Sequence, residues 1–105
     1  MRVEFEKQYL LDLYKRGKIS DKKHRFQPEV IKGYVRAIYR LQEANALEDL
    51  YKYNSLNYEV LRGDKEGIHS IRVNLQYRIE FTVTVICGEE AITICNIIEL
   101  SNHYK

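Results

Sequence analysis

Three arginines, Arg62, Arg72 and Arg78, fall within the stretch 56–81, LNYEVLRGDKEGIHSIRVNLQYRIEF, where a glycine-punctuated turn leads into two alternating strands. Guanidinium groups gathered on a small sheet can grip phosphate or stabilise the charge of a phosphorane. Strand parity places them. If Ile79 and Phe81 face a core, Arg78 faces away from it, and Arg72 and Asn74 likewise point outward from Ile71 and Val73. Arg62 arrives beside them from the turn before Gly63. The same spacing also suits arginines that only solvate an exposed sheet face and pair with Glu80 or Glu66. On either reading Arg78 is an exposed strand residue whose loss costs little stability.

Cleaving RNA without a metal requires a base to take the 2′-hydroxyl proton, cations to stabilise the pentacoordinate phosphate, and an acid to protonate the leaving 5′-oxygen. Arg62 and Arg78 suit the second task. His103 suits either proton transfer because an imidazole titrates near neutrality, although a histidine near a chain end is also an ordinary exposed residue. Tyr104 could stack on a base or donate a hydrogen bond, and Glu59 is a candidate base if held close enough. Lys65 and Asn74 join Arg72 as candidate RNA contacts. His24, in a basic loop, reads as surface, and His69, sharing parity with Ile71, as a residue packed at the core edge. Gly63-Asp64 and Gly67 read as turn chemistry, and no nucleotide-binding glycine loop is present.

The elements that must position these groups follow from periodicity. Arg2 to Phe5 alternates as a short first strand, and Glu6 to Arg16 carries Leu10, Leu13 and Tyr14 at helical spacing, with Gly17 suited to a C-cap. The loop 17–27 is basic, with Lys18, Lys22, Lys23 and Arg25 opposed by Asp21 alone. Pro28 fits the first turn of a second helix, about 28–44, whose apolar stripe is Val30, Ile31, Tyr34, Val35, Ile38 and Leu41. Lys32, Arg36 and Arg40 recur every four residues as a basic ridge on another face. Asn45 with Glu48 predicts a capping box for a short helix through about Tyr51. After that the period changes to two, in 70–74 and in 77–85, and Ala91 to Leu100 is more uniformly apolar, as in a central strand. Helices first and a meander of strands afterwards predict an α+β fold, a small antiparallel β-sheet with N-terminal helices packed on one face.

The totals set the outer limits. A chain of 105 residues, with 45% hydrophobic and 30% charged residues, is one domain over 1–105 with a single modest core. Its net charge of +2 conceals an asymmetry. Residues 1–40 hold eleven Lys/Arg against five Asp/Glu, and 41–105 hold six against ten, so one part could meet an anionic surface and the other a basic partner. Such runs also arise as plain solvated faces. Nine tyrosines and no tryptophan favour rings with a polar tip, for packing by default and for base stacking otherwise. No apolar run is long enough to span a membrane, and the N-terminus has no signal-peptide pattern. If a hairpin turns at Gly88-Glu89, Cys95 faces about Thr82 and not Cys87, so two free thiols are expected, which suits a reducing cytoplasm. Nothing in the pattern calls for a metal or another cofactor.

Residues 56–81, followed by a second hairpin and the terminal NHYK, resemble the HigB-type toxins of bacterial toxin–antitoxin systems, within the RelE/ParE superfamily. The helical order of 1–52 extends the resemblance over the whole chain, most specifically in the R-G-D-x-x-G turn and the S-I-R-V-N-x-x-Y-R-I strands. It implies a RelE-like, microbial-ribonuclease-like fold and a ribosome-dependent endoribonuclease that cuts mRNA in the A site. It further implies neutralisation by a HigA-type antitoxin with a helix-turn-helix domain. Carried across by position, the family's basic residue before the Gly-Asp turn is Arg62, the arginine of the Tyr-Arg strand is Arg78, and the terminal histidine is His103. Relatives end the last strand on Tyr-His, whereas here the order is Asn102, His103, Tyr104. Some members carry a histidine where this chain has Glu59, a carboxylate that would repel phosphate unless paired with Arg62 or Arg78. The ridge Lys32, Arg36 and Arg40, with Lys22 and Lys23, could dock on ribosomal RNA through sequence-independent phosphate contacts. Two other readings share the fold: a ParE-like inhibitor that binds DNA gyrase, and a catalytically weak module that only binds antitoxin.

Overall fold

Alternation at 78–86 and a more uniformly apolar run at 92–101 set the two longest strands, and everything else is arranged around that hairpin. The structure is a computed structural model describing residues 1–18 and 25–102. Strands β1 (Arg2–Phe5), β2 (Glu59–Val60), β3 (His69–Arg72), β4 (Arg78–Ile86) and β5 (Ile92–Ser101) form one sheet in the order β1-β5-β4-β3-β2. All neighbours are antiparallel except β1, which lies parallel to β5 and pairs Val3 with Cys95 and Phe5 with Ile97. A parallel partner requires a long crossover, and here the whole helical part of the chain lies between the two. The α+β expectation holds, with this one parallel pair as the feature that local pattern did not contain.

Helices α1 (Gln8–Arg16) and α2 (Pro28–Glu43) place Leu10, Leu13, Tyr34, Ile38 and Leu41 in the core, alongside Ile71, Ile79, Phe81 and Ile97 from the sheet. The Tyr34 hydroxyl donates to the Leu10 carbonyl at 2.7 Å, which ties the helices together, and burial raises its pKa far above the usual phenol range. Pro28 sits in the first turn of α2, where a missing N–H costs nothing. Gly33 is needed for a different reason. A Cβ there would lie 2.8 Å from Val73 Cγ1 and 2.9 Å from the Val73 carbonyl oxygen, so only glycine lets α2 approach the end of β3 this closely.

The short helix expected after Asn45 is a 3₁₀ helix, Leu47–Lys52. Asp49, not Glu48, caps it, with its carboxylate accepting from the Asn45 and Ala46 N–H groups at 2.9 and 3.2 Å. These bonds hold the Asp49 carboxyl below its ordinary pKa. Cys95 is paired with Val83, one residue from the position expected, because the hairpin is centred on Glu89. Cys87 is exposed and Cys95 buried, both as free thiols. Among the described residues no helix is long and apolar enough to cross a membrane.

Candidate functional site

Pairing in the sheet decides which side chains share the face turned away from the helices. Glu59 opposes Ser70, Ser70 opposes Glu80, Arg72 opposes Arg78, and Arg78 in turn opposes Ser101. Directly opposed residues point to the same face, so these groups form one polar basin. A bulge in β5, where Glu80 pairs with Glu99 but Phe81 with Ile97, delivers the chain end to Arg78.

Parity therefore puts Arg78 on the side expected, but not in the environment expected. Its side chain is only 6% exposed. Its Nε donates to Ser70 Oγ, and its Nη2 donates to the Asn57 carbonyl at 2.6 Å and the Ser70 carbonyl at 3.3 Å. Asn57 presents that carbonyl from a left-handed conformation (φ 44) at the end of a 3₁₀ turn, Asn54–Leu56, a backbone state asparagine tolerates better than most residues. The expectation that Arg78 is an exposed residue with little structural role is corrected: it is a buried cation clamped by three protein groups.

Glu59 Oε1 lies 3.5 Å from Arg78 Nη2, and the Glu59 side chain is 49% exposed at the mouth of the basin. The condition under which a carboxylate at this position would tolerate phosphate, pairing with an arginine, is thus met by Arg78. Lys65, expected as an RNA contact, reaches over the sheet from the turn Gly63–Lys65 and pairs with Glu80 at 2.6 Å. Glu80 is 2% exposed, and the lysine supplies a counter-charge to this buried carboxylate. Arg62 is exposed just before this turn. Asn74 uses its side-chain oxygen to accept from the Gln76 and Tyr77 N–H groups at 2.9 and 2.7 Å, closing the β3–β4 turn. His103, Tyr104, Lys22 and Lys23 lie outside the described residues.

The presumed ridge on α2 divides. Lys32 and Arg36 border an apolar groove of about 720 Å³ with Tyr14, Ile31, Val35 and Tyr39. Arg40 does not border that groove and lays its guanidinium over the Tyr53 ring, 4.2 Å from the centroid. Arg36, Arg40 and Arg72 also line one small cleft.

His69 packs at the core edge as expected. It stacks on Phe81 with centroids 5.4 Å apart and on Tyr58 at 5.9 Å, and its Nδ1 lies 2.7 Å from the Tyr58 hydroxyl. Burial lowers the His69 pKa and pushes that of Tyr58 up to about 12, so both groups stay neutral and share one hydrogen bond. Among the described residues no three His, Cys, Asp or Glu side chains gather as a metal site. Sequence reasoning missed Ser70, Ser101 and the Asn57 carbonyl, and took Glu80 only as a surface partner. The available signal was that Ser70, Arg78 and Glu80 share one parity with Glu59 across three strands.

This architecture, a five-stranded sheet with two helices on one face, is the α+β fold of the RelE-like toxins. A solved YoeB/ParE toxin from Agrobacterium tumefaciens has the same fold, with a TM-score of 0.56 over 99% of this chain and 100% of that one at 17% identity. Residues 3–93 match the family model described as the RelE-like toxin of the type II toxin–antitoxin system HigB. Toxin HigB-1 of Vibrio cholerae serotype O1 (strain ATCC 39315 / El Tor Inaba N16961) is 37% identical over 82 residues, 77% of this chain and 82% of that protein. The chain belongs to the HigB-like toxin family of type II toxin–antitoxin systems, and an antitoxin partner follows from that membership.

Proposed function

We propose that this toxin is a ribosome-dependent endoribonuclease that cuts mRNA in the A site, acts in the cytoplasm, and is neutralised by a HigA-type helix-turn-helix antitoxin. The observation that carries this reading is the Glu59–Arg78 pair, 3.5 Å apart at the mouth of the basin. A carboxylate beside a fixed guanidinium provides a proton acceptor for a 2′-hydroxyl and a donor for the phosphate that this hydroxyl attacks. Arg78 is held before any substrate arrives, so its orientation costs nothing at the moment of reaction. Arg62, exposed at the adjoining turn, is available to the same phosphate. His103 follows Ser101, which opposes Arg78, by two residues, and takes the role of acid to the leaving 5′-oxygen, with Tyr104 beside a base. The 2′-oxygen attacks phosphorus, the P–O5′ bond breaks, and the proton taken by Glu59 is balanced by the one His103 gives.

The test is primer extension on mRNA after induction, and on ribosomes programmed with a defined message. Discrete cuts that require the ribosome are expected. Glu59→Gln should lower the rate by roughly 10²–10⁴-fold while the protein stays folded, and His103→Gln should shift the pH profile. Supercoiling defects without cuts would replace this reading with a gyrase inhibitor, and unimpaired growth of cells expressing the protein alone would leave only an antitoxin-binding module. Full cleavage by both variants would reject the site.

A further inference from the structure

In the polar basin Arg78 pairs with Glu59 and Lys65 with Glu80. A second place on the molecule gathers cations without such partners. Where α2, the 3₁₀ turn Asn54–Leu56 and the end of β3 meet, Arg36, Arg40 and Arg72 line a cleft of about 80 Å³ together with Ser55 and Gly33. Among the described residues no carboxylate lines it, and none forms an ion pair with any of the three arginines. Arg40 is held in orientation by the Tyr53 ring, and Gly33 brings the helix close enough for Arg36 and Arg72 to converge from different elements. Three arginines and a serine lining a small volume, with no carboxylate among the described lining residues, suit a tetrahedral oxyanion.

We propose that this cleft binds one phosphate group of an RNA backbone, next along the chain from the phosphate that faces Arg78. Arg72 and Arg78 are directly opposed on β3 and β4, a cross-strand separation of roughly 5 Å between Cβ atoms. A strand crossing that pair presents successive phosphates to the two arginines, one to the basin and one to the cleft. The site recognises charge and shape, not base identity, so it fixes the register of the RNA without contributing sequence preference. The assignment of the neighbouring phosphate rests on the nuclease reading above.

The test uses the intact protein and a 2′-O-methyl RNA hexamer, which binds but lacks the attacking hydroxyl. In an NMR titration the side-chain Nε–H signals of Arg36, Arg40 and Arg72 should shift together. Arg36→Gln and Arg72→Gln should each weaken the hexamer about equally for different sequences, and the double variant should lower the slope of log affinity against log salt by about 0.7. Lys15→Gln, an exposed change elsewhere on α1, should leave that slope unaltered. The proposal is overturned if the two arginine variants behave like Lys15→Gln, or if only inorganic phosphate moves the three signals. Because the hexamer cannot be cut, hexamer binding through the cleft with an uncut message on ribosomes would uphold the cleft and reject the nuclease. Full cleavage with hexamer affinity unchanged in both arginine variants would reject the cleft alone.

Discussion

Arg78 and Arg72 oppose each other on adjacent strands and share a face, yet they meet different physical fates. Arg78 begins β4, the central strand, between Arg72 and Ser101 in register, and its guanidinium is buried against Ser70 and the Asn57 carbonyl. It must therefore be satisfied by protein atoms at all times. Arg72 ends β3, where Gly33 brings α2 against Val73, and retains partial access to water beside two further arginines. One position builds a preorganised site at a cost in tolerance to mutation. The other leaves cationic charge available to a ligand. Alternation along a strand assigns both residues the same face, and cannot tell these two situations apart.

Substitutions at the two positions should separate accordingly. Arg78→Ala leaves Ser70, the Asn57 carbonyl and Glu59 without their donor, and should lower stability by about 2–4 kcal/mol in urea unfolding. A loss near zero would show that the basin is hydrated and would erase the contrast with Arg72. Gly33→Ala forces a methyl against Val73 and should cost about 1–3 kcal/mol. It should also weaken hexamer binding by displacing Arg36, and a stability unchanged from the parent would mean that the helix seat is loose.

Arg72→Gln should change stability by no more than about 0.5 kcal/mol, since no described ion pair depends on it. A larger loss would move Arg72 into the structural class of Arg78. The smallest effect concerns pH. Burial depresses the His69 pKa below its ordinary 6.5, so on acidification the unfolded chain takes up this proton first. The stabilisation from the neutral ring is complete above about pH 6.5 and declines below it until the folded ring also protonates. The acid limb of a stability-against-pH curve should be flatter for His69→Gln, and identical limbs would remove His69 from the account.

Much of this molecule was legible in the residue order. The stripe Val30, Tyr34, Ile38 and Leu41 fixed α2 and its buried side, because a helix repeats its face every three to four residues whatever it packs against. Parity in 78–86 fixed β4 and set Arg78 opposite Ile79 and Phe81. Gly17, Pro28 and the turn around Gly63 marked element ends by backbone conformation alone. Other features were invisible because they depend on residues far apart in the chain. Whether Arg78 is wet or buried depends on Asn57 and Ser70, and Glu80's neutral balance depends on Lys65 crossing over the sheet. The convergence of Arg36 and Arg40 with Arg72 depends on Gly33 admitting the helix, and the parallel pairing of β1 depends on its return to β5. Local sequence determines conformation and facing through short-range sterics and hydrophobic period. Solvation and charge pairing are properties of what the fold lays on top, and those decided the site.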